Sequence, residues 1–230
     1  MILTYFGHSG FLLDTGHHKI LIDPFISGNP IAENIDIYSI QANYILLTHG
    51  HSDHVLDAEV IAKKNKAKII SNFEIVSWYE SKGIEGHPMN IGGKWDFDFG
   101  TIKCTNAVHS SVLPDGTYGG NPMGFVIELA NMTIYIAGDT ALTWDMKLIP
   151  VTCPKIDWAV LPLGDNFTMN YKEALLASDF VECNNIIGCH YDTFGFIRIN
   201  HREVSQYFVQ KGKNLILPKI GDRIKLLTKS

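Results

Sequence analysis

The sequence predicts an α/β or α+β domain with two sheets packed together and helices outside, and three observations predict it. Strand-rich sequence occurs twice, in residues 2–22 and 94–137, and each time it gives way to alternating strand and helix patterns. Hydrophobic residues make up 46% and charged residues 19% of a 230-residue chain, a balance that suits a globular protein with a sizeable core. No fixed-period repeat, low-complexity tract or Pro/Gly/Ser linker divides the chain, so a single domain over residues 1–230 is expected.

Each element follows from local pattern. Ile2 to Phe6, Phe11 to Asp14 and Lys19 to Ile22 read as short strands, with Gly16, His17 and His18 marking the turn before the third. Tyr44 to Leu47 is a buried strand, followed by a helical pattern from about Val55 to Lys64. Ala67 to Ile70 gives another strand, and Glu74 to Lys82 a helix stopped by Gly83. The second strand-rich region covers Lys94 to Phe99, Ile102 to Val108, Gly124 to Leu129 and Thr133 to Ala137. Trp158 to Leu161 is again strand-like, and Asn170 with Glu173 three positions later forms a capping box that opens a helix toward Cys183. Asn185 to Cys189 reads as a strand, Arg202 to Gln210 as a helix and Arg223 to Leu227 as a closing strand.

Charge and composition narrow the partners. Net charge is −5 with no block of like charges, so neither a nucleic-acid footprint nor a polybasic membrane patch is expected, and a small-molecule substrate is. The N-terminal MILTYFGHSGFLLD has no basic leader, and Gly7, His8, Ser9 and Gly10 break its apolar run, which argues against a signal peptide or a membrane span. Cys104, Cys153, Cys183 and Cys189 show no C-x-x-C spacing and read as reduced core residues of a cytoplasmic protein. Tyrosines and tryptophans form no interface stripe, which leaves a homo-oligomer open.

The chemistry concentrates in LLTHGHSDHVLD, Leu46 to Asp57, with three histidines and an aspartate in six residues. Such a cluster has no packing rationale and would be costly to bury unsatisfied, so it points to metal binding. His49 follows one predicted strand, and His109, Asp139 and His190 follow three others, so side chains at one rim can converge on one cleft. With His51, Asp53 and His54 they make seven candidates. A tetrahedral catalytic zinc takes three protein ligands plus water, so the surplus favours two ions, with one carboxylate able to bridge them. Imidazole and carboxylate donors suit zinc and also accept manganese, nickel or iron. His17, His18, His87 and His201 read as ordinary hydrogen-bonded residues.

His49-Gly50-His51-Ser52-Asp53-His54 resembles the H-x-H-x-D-H signature of the metallo-β-lactamase superfamily. Asp23 in ILIDPF, His109 in NAVHSS, Asp139 in AGDT and His190 in GCHYDTF stand in the family's order along essentially the whole chain. The resemblance implies a four-layer αββα sandwich and two divalent metal ions. One would be held by His49, His51 and His109 and the other by Asp53, His54 and His190, with Asp139 bridging and Asp23 in support. His51 stands where the flavodiiron branch usually has glutamate, and Asp139 where true β-lactamases commonly carry cysteine. The length leaves no room for the added domains of the RNA-processing nucleases or glyoxalase II.

GHSGF at Gly7 to Phe11, LPLGDNFTMNYKEAL at Leu161 to Leu175 and CHYDTF at Cys189 to Phe194 are similar to a group of metal-dependent hydrolases related to ascorbate-6-phosphate lactonase. The expected function is therefore dinuclear hydrolysis of an ester, lactone or phosphodiester by a metal-bridging hydroxide. Asp53 would orient the attacking group and help protonate the leaving group, and His8 would contact substrate or act as an acid. Phe167, Thr168 and Met169 are expected to line the pocket, with backbone amides able to face an anion. A mononuclear iron oxidoreductase of the thiol dioxygenase type is the alternative on the same scaffold, and a non-catalytic metal-binding protein is a third reading.

Overall fold

The computed structural model describes residues 1–227. In chain order the elements are β1 (Ile2–Gly7), β2 (Gly10–Asp14), β3 (Lys19–Ile22), β4 (Tyr44–Leu46), α1 (Ser52–Val55), α2 (Ala58–Asn65), β5 (Lys68–Asn72), α3 (Phe73–Glu80) and β6 (Gly86–Met89). There follow β7 (Lys94–Phe97), β8 (Gly100–Asn106), β9 (Met123–Leu129), β10 (Met132–Ile136), α4 (Ile149–Thr152), β11 (Trp158–Pro162), α5 (Tyr171–Phe180), β12 (Asn185–Cys189), α6 (His201–Gln210), β13 (Asn214–Ile216) and β14 (Arg223–Lys225). They divide into two compact units. The first comprises Met1–Ile91, Ser110–Pro122 and Lys219–Leu226, and the second Gly92–His109, Met123–Pro218 and Leu227.

Each unit is built on one mixed sheet. The first has the order β14-β1-β2-β3-β4-β5-β6. Its pairs are antiparallel from β14 to β3 and parallel from β3 to β6. The second has the order β13-β12-β11-β10-β9-β8-β7, antiparallel from β7 to β10 and parallel from β10 to β13. Direction has a consequence for function. Two successive antiparallel steps restore the original direction, so β1 and β3 run with β4 and β5, and β8 runs with β10, β11 and β12. The residues that leave the C-terminal ends of these strands therefore emerge at one rim of their own sheet.

Alternation of side chains gives each sheet two buried faces. In the first unit Leu21, Ile45 and Ile69 are register partners and pack with Ile61, Val76 and Tyr79 of α2 and α3. Ile20, Ile22, Leu46 and Ile70, which point the other way, are also fully buried. In the second unit Tyr135, Ala159 and Ile186 form the corresponding row against Ala177 of α5 and Val204 and Phe208 of α6, and Ile134, Val160 and Ile187 are buried on the opposite face. Each such aliphatic or aromatic side chain contributes on the order of 1.5–3 kcal/mol. Cys104, Cys183 and Cys189 belong to this buried set, and burial pushes the Cys104 thiol up to about 12, so it is inert at neutral pH.

Besides the single turn of α4, the structure departs from the sequence reading in three places. The helix expected from Val55 to Lys64 is two helices, because Asp57 turns its carboxylate back to the amides of Ile26 and Ser27, at 2.6 and 2.9 Å. β6 was not expected from GHPM. It is an edge strand, where Pro88 is tolerated because β5 supplies the ladder on one side only. β13, also unforeseen, is the corresponding edge of the second sheet. The capping box at Asn170 and Glu173 is present in full. Asn170→Ala should cost about 1 kcal/mol and lower the melting temperature by about 2–4 °C, measured by calorimetry.

Candidate metal centre

In the first unit the rim carries His8 after β1, Asp23 after β3 and the segment Thr48 to His54 after β4. His8 and Asp23 hold left-handed backbone, with φ of 56° and 41°. Such a conformation is unfavourable for residues with a Cβ and persists where surrounding contacts enforce it, typically at functional sites. Asp23 is buried, and its carboxylate gathers the segment around it. Oδ1 accepts the Thr48 amide at 2.8 Å. Oδ2 accepts the Thr48 hydroxyl at 2.7 Å and His54 Nδ1 at 2.9 Å.

These contacts fix the direction of a chain of protons. A hydroxyl has one proton, and that of Thr48 goes to Asp23, so the 2.9 Å contact between Thr48 Oγ1 and His49 Nδ1 must have the imidazole as donor. His49 Nε2 then carries a lone pair and faces His51 Nδ1 at 3.0 Å. On its other side His51 sets Nε2 3.3 Å from Ser110 Oγ. By the same logic His54, donating through Nδ1, presents the lone pair of Nε2. Imidazoles that ligate metals ordinarily donate their second nitrogen to a carboxylate or hydroxyl in this way.

The donors are close-set. One ligand atom from each of His8, Asp53 and His54 lies within 4.8 Å of the other two, and the same holds for His49 with His51 and for His49 with His54. His8 Nε2 is 3.1 Å from Asp53 Oδ2. The His8 ring is wholly buried, edge-on to His54 and to Phe25, whereas the Asp53 side chain keeps 29% exposure. α1 starts after His51, so Asp53 and His54 leave the rim on a helical turn, while His49 and His51 precede it, His51 with extended backbone.

In the second unit the rim carries His109 after β8, Asp139 after β10 and His190 after β12. Asp139 Oδ2 lies 2.9 Å from His190 Nε2 and 3.6 Å from His109 Nε2. Asp139 and His190 are almost fully buried. Thr140 steadies the pair of segments, since its hydroxyl accepts the Val108 amide at 2.9 Å and donates to the Ala141 carbonyl. His190 also has left-handed backbone, φ 54°, and its carbonyl would lie 2.1 Å from a Cβ placed on Gly164, so only glycine fits there.

All seven predicted ligands thus sit at the rims, His49, His51, Asp53 and His54 in the first unit and His109, Asp139 and His190 in the second. The donor set is imidazole nitrogen and carboxylate oxygen, with two imidazoles locked in the ligating tautomer, and it fits a borderline divalent cation such as zinc. The histidines assigned to ordinary roles lie elsewhere: His17 and His18 in the β2–β3 turn, His87 on edge strand β6, and His201 on α6 beside Asp192. Thr48 and Ser110 are supporting residues that pattern reading missed. Both adjoin predicted ligands, but a hydroxyl next to a histidine carries no signal of its own.

One expectation is corrected. The Phe167 and Thr168 amides donate to the Asp165 carbonyl and the Met169 amide to the Thr140 carbonyl, so the loop's amides are satisfied internally rather than offered to an anion.

The Asp23 contacts generate a prediction. In Asp23→Asn the amide nitrogen would donate where the carboxylate accepted, forcing His54 or Thr48 to turn. Zinc affinity, measured by competition with a chromophoric chelator, should fall 10–100-fold while the far-UV circular dichroism spectrum is kept. Unchanged affinity would sink the proton-direction argument.

Comparison with known proteins places these residues in a lineage. The family description for the beta-lactamase superfamily domain matches residues 2–190. A UPF0173 metal-dependent hydrolase of Flavobacterium johnsoniae is 58% identical over 226 residues, covering 98% of this chain and 100% of that protein. One from Thermus thermophilus is 43% identical over 222 residues, covering 96% and 97%. Among solved structures, Igni18, a metallo hydrolase from Ignicoccus hospitalis, superposes with a TM-score of 0.88 at 32% identity, over 97% of each chain. The isothiocyanate hydrolase from Delia radicum gut bacteria shares the fold, with a TM-score of 0.81 at 20% identity over the whole of both chains. Seven ligand-type residues at sheet rims, on a chain this close to these proteins, identify a member of the beta-lactamase superfamily, in its UPF0173 group of metal-dependent hydrolases, with the metallo-β-lactamase fold.

Proposed function

We infer that the enzyme is a dinuclear hydrolase of a small ester, lactone or phosphodiester. The observation that carries the reading is the Asp23 carboxylate, which directly and through Thr48 sets the Nδ1 protons of His54 and His49 and leaves the Nε2 lone pair of each ring for a cation. The order of motifs along the chain supports one ion on His49, His51 and His109, a second on Asp53, His54 and His190, and Asp139 between them. Zinc is the expected metal, with manganese, nickel and iron as alternatives. When bound, the two cations would acidify water and polarise the carbonyl or phosphoryl oxygen under attack.

The chain's own residues supply positioning and proton transfer. His8, buried and hydrogen-bonded to Asp53, holds that carboxylate in one orientation. Asp53 is partly exposed, so a carboxylate oxygen can take a proton from water and return it to a leaving group. His8 is on this reading a positioning residue that acts through Asp53. Asp139 is almost fully buried, and its Oδ2 lies 2.9 Å from His190 Nε2 and 3.6 Å from His109 Nε2, so the three groups can turn to a common cation. Among the described residues no helix is long and apolar enough to cross a membrane. A small-molecule substrate and a cytoplasmic location are the expectation from composition and cysteine usage.

The test is elemental analysis of protein purified without chelator, followed by a screen with chromogenic esters, lactones and bis(p-nitrophenyl) phosphate. Two ions per chain are expected, with hydrolysis abolished by His51→Ala and by His190→Ala. Asp53→Asn should lower kcat by roughly 10²-fold or more. One iron per chain with oxygen consumption would overturn the reading in favour of an oxidoreductase. Undiminished activity in a metal-loaded Asp53→Ala variant would remove Asp53 from the mechanism.

A further inference from the structure

Two exposed phenylalanines stand on loops that the hydrolytic chemistry leaves unused. Phe167 lies between β11 and α5, and Phe196 between β12 and α6. Their side chains are 51% and 78% exposed, and the rings meet edge to face at 6.4 Å between centroids and 80° between planes. Large aromatic side chains left in water on loops are characteristic of binding surfaces.

Both loops are fastened to the backbone that carries the second unit's ligands. The Met169 amide donates to the Thr140 carbonyl, one residue beyond Asp139. Gly164 packs against the His190 carbonyl and Ile197, one residue from Phe196. The Asp192 amide donates to the Ile197 carbonyl at 2.8 Å, and its carboxylate accepts the Ile199 amide at 3.0 Å. Asp165, Asn166 and Asp192 hold left-handed backbone at these turns, so the loops are set rather than slack.

The chemistry of the loops selects the kind of group they would hold. The amides of Phe167, Thr168, Met169, Asp192, Thr193 and Ile197 each have a backbone acceptor, and the Asp165 and Asp192 carboxylates are occupied by Asn166, Ile199 and His201. The adjoining cleft of about 270 Å³ is lined by both signs of charge, Lys172 and Arg198 against Asp165 and Glu203, so it favours neither. What the loops offer outward is a pair of rings.

We propose that Phe167 and Phe196 form an apolar clamp for the substrate, selecting molecules with an aromatic or bulky apolar group beside the scissile bond. The clamp rests on the hydrolase reading for its catalytic test, and a binding measurement tests it independently. Its occupant is the substrate's own apolar group rather than a second copy of the chain, because both loops are tied to the backbone of Asp139 and His190.

The experiment compares p-nitrophenyl phenylacetate with p-nitrophenyl acetate on the metal-loaded protein, and follows saturation transfer to the phenyl protons of phenylacetate by NMR. In the Phe167→Ala/Phe196→Ala variant the preference for the phenylacetyl ester, as a ratio of kcat/KM, should fall about tenfold. That is about 1.4 kcal/mol, and it should appear mainly in KM. Saturation transfer should be lost, Phe167→Leu/Phe196→Leu should recover part of both signals, and Val209→Ala on α6 should alter neither. A preference ratio within twofold of wild type in the folded Ala variant overturns the clamp, as does an unchanged ratio with an altered elution volume, which would make the rings a contact between copies. If the wild-type protein hydrolyses neither ester, saturation transfer alone decides. Phenylacetate signal that depends on the two rings supports the clamp while the hydrolase reading fails, and no signal on wild type overturns the clamp.

Discussion

Asp23 receives three hydrogen bonds on two oxygens while held in a backbone conformation that aspartate rarely adopts. Each contact decides something farther along. The Thr48 amide fixes where the strand ends, the Thr48 hydroxyl fixes which nitrogen of His49 bears a proton, and the His54 contact does the same for a second ring. A buried carboxylate with this many donors is stable because three hydrogen bonds replace its lost hydration, and removing it would leave several buried groups unsatisfied at once. The ligating tautomers of the first unit therefore depend on one residue outside the H-x-H-x-D-H motif.

Strand direction is the second constraint. Ligand-type residues reach one rim of their own sheet because the strands that carry them point the same way, some by parallel pairing and others by a double reversal. His109 illustrates the point. It follows an antiparallel strand, yet it approaches Asp139 because β8 and β10 are separated by two reversals. A sheet of any other parity would have sent it to the opposite edge.

This explains what could be read from sequence alone. Apolar runs of four to seven residues ending in histidine or aspartate are visible in the chain, and so are the capping box at Asn170 and the glycines at tight turns. Ligand identities follow from residue type and position at strand ends. Left-handed backbone at His8, Asp23 and His190 is not visible, because tertiary contacts rather than local preference enforce it. Nor is the role of Thr48 or Ser110, which depends on where a single proton points. Edge strands β6 and β13 escaped notice because an edge needs only one neighbour's ladder and so tolerates sequences with little strand preference. Phe196 follows a glycine among other apolar residues, Phe194 and Ile197, and only its pairing with Phe167 distinguishes it.

The pairing of β14 with β1 bears on the order in which the molecule is assembled. Ile2 is opposite Lys225, and the Tyr5 amide reaches the Asp222 carbonyl, so β1 is completed by a strand far from it in sequence. Until residue 225 is available, β1 presents an open edge beside a hydrophobic hairpin, the kind of surface that recruits other chains. Because closing so long a loop is entropically slow, the first unit should complete its sheet later than the second unit forms the hairpins of β7 to β10, whose partners are neighbours in sequence. Protection against aggregation would then matter chiefly for the open edge of the first sheet.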